Sequence, residues 1–167
     1  MRILLWLLLA MPLTSWAGKY SVDEILDSFH LAASEAKGEA YFGLMADDAI
    51  FLGTDATERW TKSEFQAFAM PYFADGKGWT YVPKERRVII DKARGVAWFD
   101  EILNHKTYGE CRGSGVLSWE KSGWKIRQYH LTIPIPNTLV KTITGEIKAY
   151  SAAQNKLATE MESTSSQ

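Results

Sequence analysis

The chain has 167 residues, with 19 Lys or Arg against 20 Asp or Glu, 46% hydrophobic residues and a single cysteine. Charge so evenly balanced gives no electrostatic footprint for nucleic acid or an anionic membrane surface. One cysteine, Cys111, cannot close an intrachain disulfide, so a disulfide-stapled scaffold is excluded.

Met1–Ala17 carries one positive charge at Arg2, an apolar run from Ile3 to Leu13, and small residues at Ser15 and Ala17. This pattern predicts a secretory signal peptide cleaved between Ala17 and Gly18, and hence a periplasmic or secreted product. The run is shorter than the roughly 20 apolar residues that a membrane span needs, so no membrane attachment is expected after cleavage. Removing it leaves 150 residues with 18 basic and 20 acidic side chains, a length suited to one domain with its own core. We divide these into a domain over 18–136 and a helical tail over 137–167.

Ser21 with Glu24 forms a capping-box pattern and predicts a helix from Val22 to Lys37, stopped by Gly38, with Ile25, Leu26, Phe29, Ala32, Ala33 and Ala36 on one face. A short helix is expected over Glu39–Met45, broken at Asp47–Asp48. Ala49–Gly53 is short and apolar and reads as a buried strand, followed by a polar turn over Thr54–Glu58. Thr61 with Glu64 repeats the capping box and opens a third helix to about Asp75, carrying Phe65, Phe68, Ala69, Tyr72 and Phe73, with Pro71 near its end.

From Trp79 the hydrophobic period changes from helical to extended. Four runs follow, Trp79–Asp91, Val96–His105, Gly109–Glu120 and Trp124–Thr132, joined by connections short enough for an antiparallel meander. After Pro134 and Pro136, a helical tail is expected from Asn137 to about Ala158, with Leu139, Ile143, Ile147, Tyr150 and Leu157 on one face and a disordered end from Glu160. The order is α+β: a curved antiparallel sheet wrapped over N-terminal helices into a cone, with a C-terminal helical tail.

The stretches AIFLGTDATERWTKSEF (Ala49–Phe65), AWFDE (Ala97–Glu101), CRGSGVL (Cys111–Leu117) and GWKIRQYHLTIPIPN (Gly123–Asn137) resemble the SnoaL-like branch of the nuclear transport factor 2-like superfamily. The resemblance covers about Ser21–Asn137. It implies the cone fold, a pocket for a small apolar molecule, and pairing of two copies through the outer sheet face. It fixes no activity, because the superfamily joins isomerases, cyclases and dehydratases with proteins that catalyse nothing.

The turn Glu120–Gly123 suits a type I turn with Gly123 in the bulge position, which pairs Arg112 with Thr132, Ser114 with His130, Val116 with Gln128, Ser118 with Ile126 and Glu120 with Trp124. Arg112, Ser114, Val116, Trp124, Ile126, Gln128 and His130 then share one face, apolar at the turn end and polar at the other, as a ligand pocket is. A two-residue loop would instead slip the strand and turn Arg112 to the opposite face.

On this reading His130 is the candidate general acid or base, and the alternative is a core histidine bonded to a neighbour. Arg112 needs a carboxylate partner if buried. Asp100 and Glu101 are consecutive, so one points inward, and small Ala97 on the same face favours Glu101. Asp55 and Trp60 are placed at the pocket rim, though Asp55 equally suits a turn-forming role. Tyr41 and Tyr72 are candidate hydroxyl donors to a ligand or, equally, core residues. His30, His105 and His130 lack metal-ligand spacing, and no dinucleotide or phosphate-loop motif is present, so no metal or cofactor is expected. Trp119, Tyr129 and Leu117 form the expected apolar contact on the outer face for a homodimer or another partner.

Overall fold

A computed structural model describes residues 21–165, with side chains described as far as 161. The signal-peptide reading of Met1–Ala17 and its cleavage point lie outside the described residues. The elements in order are α1 (Val22–Ser34), α2 (Gly38–Gly43), β1 (Met45–Leu52), β2 (Arg59–Thr61), α3 (Lys62–Ala74), β3 (Val82–Asp91), β4 (Val96–His105), β5 (Gly109–Glu120), β6 (Gly123–Thr132) and α4 (Val140–Ser165).

Both capping boxes form. Ser21 Oγ accepts from the Glu24 N–H at 3.2 Å and Glu24 accepts from the Ser21 N–H at 2.6 Å, and Thr61 and Glu64 do the same at the start of α3. Each box satisfies two backbone donors that a helix start leaves unpaired. α1 ends three residues before the expected Lys37. Ala36 adopts a left-handed conformation with φ 53°, while the Lys37 N–H bonds the Ala32 carbonyl and the Ala36 N–H bonds that of Ala33. This is the Schellman arrangement, usually built on glycine.

The sheet order is β2-β1-β6-β5-β4-β3, and β3 to β6 form the expected antiparallel meander. The sheet is not antiparallel throughout, because β1 lies parallel to β6, with Phe51 beside Tyr129 and Leu52 beside His130. β1 also begins earlier than Ala49. Its register with β6 shifts between Met45 and Ile50, so Asp47 and Asp48 can both face water without ending the strand. β2, a three-residue edge strand, was too short to carry a hydrophobic period.

The β5–β6 register differs from expectation at one end. Arg112–Thr132, Ser114–His130 and Val116–Gln128 pair as expected, but Leu117 pairs with Ile126, Trp119 with Trp124 and Glu120 with Gly123. The turn is the two-residue loop Lys121–Ser122, and a bulge at Arg127 restores the register beyond it. Arg127 is held on the outer side by the Ser118 hydroxyl at 2.6 Å and by the carboxylates of Asp48 and Glu120. Inward-facing residues therefore change parity along β6: Trp124 and Ile126 before the bulge and Tyr129 and Leu131 after it are all buried. The face inferred from strict alternation had joined two opposite surfaces.

The helices α1 to α3 cover the inner face. The core joins Leu26, Phe29 and Ala33 of α1 and Tyr41 and Phe42 of α2 to Phe51, Phe65, Phe99, Leu117 and Tyr129. Phe29 stacks on Tyr41 at 4.1 Å between ring centroids and Phe51 on Phe65 at 3.9 Å. α4 runs past Ala158 to Ser165, so the expected disordered end is helical as far as it is described. Gly145 sits in open space within it.

Candidate functional site

Glu101 on β4 is fully buried and stands directly opposite Arg86 on β3. Its Oε2 accepts from Arg86 Nε at 2.9 Å, while its Oε1 meets His30 Nε2 at 2.7 Å and accepts from the Tyr129 hydroxyl at 3.1 Å. Arg86 reaches onward to Asp27 at 2.8 Å and to the Asp23 carbonyl at 3.2 Å on α1. A sheet carboxylate is thus tied to the first helix from two sides.

Such burial is tolerable only with full pairing. Burial alone would raise the Glu101 carboxyl, but the hydrogen bond and charge of His30, together with Arg86, outweigh it and hold the group below its ordinary 4.5. An ionised carboxylate only accepts hydrogen bonds, so the shared proton resides on His30 Nε2, and in the neutral ring Nδ1 keeps the free lone pair. Burial, and next the Glu101 charge, push the Tyr129 hydroxyl well above 10, so it stays a protonated donor.

His30 and Tyr129 border a chamber of ≈ 20 Å³, with Tyr41, Phe29 and Ala33 among its other walls. Space of that size holds about one water. The Tyr41 hydroxyl is buried there without a well-aligned hydrogen bond; burial raises its pKa well above 10, against a weaker lowering by the Trp79 side chain beside it. Phe51, Trp79, Tyr81 and Leu131 also line a larger cleft of ≈ 290 Å³ that continues past Trp60, Phe65 and Phe68 to Glu58, His105 and Tyr108. At its mouth, His105 Nδ1 accepts from the Thr107 and Tyr108 N–H groups, each at 3.2 Å, which leaves the ring proton on Nε2. Burial pushes the Tyr81 hydroxyl up to about 12. An aromatic cleft thus lies beside a smaller chamber that holds the paired histidine, and the two share the walls Phe51, Trp79, Tyr81 and Leu131.

The structure separates the residues expected from the sequence. Glu101 points inward and Asp100 outward, where Asp100 lies 3.5 Å from Arg87. Arg112 is exposed on the outer face and does not pair with Glu101; Arg86 does. Ser114, Gln128 and His130 share that outer face, so His130 is not the histidine of the inner site. The reason is the bulge at Arg127, which strict alternation does not reveal. Asp55 meets His130 only in an outer cleft with Arg59 and Thr132, and its carboxylate accepts from the Thr57 N–H and hydroxyl at 2.8 and 2.6 Å, which is the turn-forming role. Trp60 lines the inner cleft and Tyr41 its chamber. Tyr72 is exposed on α3 beside Phe68 and lines neither. Of the expected outer contact, Leu117 and Tyr129 are buried inside.

Sequence reasoning missed His30, Arg86, Tyr81 and Trp79. His30 had a signal, since it lies four residues after Leu26 and three before Ala33, in the middle of the apolar face of α1. Arg86 had none, being one of four consecutive charged residues, Lys84 to Arg87. Among the described residues no three His, Cys, Asp or Glu side chains converge as metal ligands.

Helices folded over a curved sheet, with an aromatic cleft beside a buried polar cluster, define a small α+β pocket domain. The SnoaL-like domain model matches residues 22–136, and the chain belongs to that family. No curated protein matches it. Among solved structures it is similar to a domain of unknown function with a cystatin-like fold from Nostoc punctiforme, at TM-score 0.61 and 15% identity over 90% of this chain and 98% of that one. It is also similar to an NTF2-like protein of unknown function from Pseudomonas putida, at TM-score 0.57 and 11% identity over 70% and 86% of the two chains. A candidate dehydratase of the NTF2-like family from Streptomyces avermitilis matches at TM-score 0.57 and 14% identity over 69% and 94%.

Proposed function

We propose that the protein binds a small, largely apolar molecule in the aromatic cleft, with a polar group of that molecule directed at the Tyr41 hydroxyl. The carrying observation is that hydroxyl, buried and unpartnered beside His30 and Tyr129. An unpaired buried polar group costs about 1–3 kcal/mol, and a ligand oxygen or a water would remove that cost. The cleft sits at the small end of the range that ligand sites occupy, which favours a planar, compact molecule. Export as a soluble protein is part of the same proposal, resting on Met1–Ala17. Native mass spectrometry of protein from its own host tests the reading, alongside titration with 1-naphthol followed by tryptophan fluorescence. A bare chain mass together with no quenching would sink it.

The His30–Glu101 pair favours a second reading, cofactor-free acid-base chemistry on the bound molecule. A histidine whose Nε2 is fixed by a buried carboxylate presents Nδ1 as a base. Deuterium uptake into the retained ligand in heavy water, lost in His30→Asn but not in Tyr72→Phe, is the expected signature. Equal uptake in both variants would remove His30 from the chemistry.

A further inference from the structure

We propose that α4 is a self-association helix that mates with α4 of a second copy of this chain along a coiled-coil seam. Val140, Ile143, Ile147, Tyr150, Gln154, Leu157 and Met161 follow one another at spacings of three, four, three, four, three and four. A strict 3.5-residue repeat over three heptads marks a helix that pairs with a helix, because a stripe facing a globular core is wider and follows 3.6.

Among the described residues nothing covers this seam beyond Ile143. From Val140 to Met161 every side chain is exposed except Ile143 and Thr144, which are half-buried. Ile147, Tyr150, Leu157 and Met161 are 53%, 67%, 54% and 73% exposed. The helix is also a poor one on its own terms, since its first six residues, Val140 to Gly145, include two threonines, two β-branched aliphatics and a glycine. Helices in proteins draw most of their stability from packing an apolar face, and within the described residues α4 packs little of its own. Among the described residues no helix is long and apolar enough to cross a membrane.

A second copy fits on three counts. α4 holds three lysines and three glutamates, so two copies meet without net repulsion. The seam has one polar member, Gln154, among apolar ones, the composition by which paired helices fix their register. Two such stripes remove on the order of 1,000 Å² of surface from water before flanking residues are added, near the lower bound for a specific interface.

The test is sedimentation equilibrium on exported protein, with the double variant Ile147→Asp/Leu157→Asp as comparator. The wild type is expected at twice the chain mass in the micromolar range, with helix signal in far-ultraviolet circular dichroism rising with concentration. The variant is expected as a monomer with an unchanged thermal transition for the domain. Trp98→Lys, on the exposed outer sheet face, separates this seam from a sheet-mediated dimer and should leave the mass doubled. A monomeric wild type, or an assembly indifferent to the double variant, overturns the proposal.

Discussion

Gly113 of β5 lies directly across from Glu101 of β4, and its missing side chain leaves the space through which the Tyr129 hydroxyl reaches the Glu101 carboxylate. A Cβ at this position would stand 2.8 Å from Glu101 Oε1 and closer still to Tyr129 Oη. Gly113→Ala should therefore destabilise the domain by about 1–3 kcal/mol, as overpacking of a filled core does. Tyr129→Phe, which removes the oxygen and a hydrogen bond with a net contribution of about 1 kcal/mol, should relieve part of that loss. Urea unfolding of both single variants and the double gives the coupling. Strict additivity would show that the two residues do not share the space.

Acid should unfold the protein partly through Glu101. Its folded-state pKa lies below 4.5, so the stabilisation is fully present above 4.5 and is lost as pH falls through the folded value. In Glu101→Gln that contribution is gone. The difference in melting temperature between the two proteins should be constant at neutral pH and narrow below 4.5, as read by scanning calorimetry from pH 7 to 3. Glu101→Ala should cost more, about 3–5 kcal/mol, because Arg86 is left buried without its sheet partner.

Tyr41→Phe separates stability from binding. With no ligand, removing an unpartnered buried hydroxyl should leave stability unchanged or raise it by about 1 kcal/mol. With ligand, the same change should weaken retention about tenfold, the loss of one directed hydrogen bond. Chemical denaturation and naphthol titration of one preparation read both effects. A large loss of stability in the unliganded variant would count against the hydroxyl being unsatisfied.

Ala36→Gly should stabilise the domain by about 1 kcal/mol, because a left-handed conformation strains an alanine and not a glycine. The gain belongs to the end of α1 and should leave ligand retention untouched. A destabilised variant in urea titration would mean that the methyl group contributes more than the strain.

The helices were legible because their capping boxes are local, and the meander because its turns are short. The SnoaL-like resemblance added the cone. The inward choice of Glu101 over Asp100 followed from the smallness of Ala97, a cue that survives without knowledge of the partner strand. Its partners were not legible. Arg86 joins Glu101 across 15 residues and His30 across 71, and pairing at such range depends on the folded register. His130 was chosen in place of His30 because alternation was carried through a strand whose parity changes at Arg127.

That change of parity has a consequence for how the protein tolerates variation. The extra residue works as a slack link: the hairpin tip at Lys121–Ser122 and the hydroxyl of Tyr129 occupy stretches of β6 whose phases are set independently. A lengthened tip can be taken up at Arg127 without rotating Tyr129 away from its carboxylate. Loss of Arg127 itself would turn one half of the strand inside out.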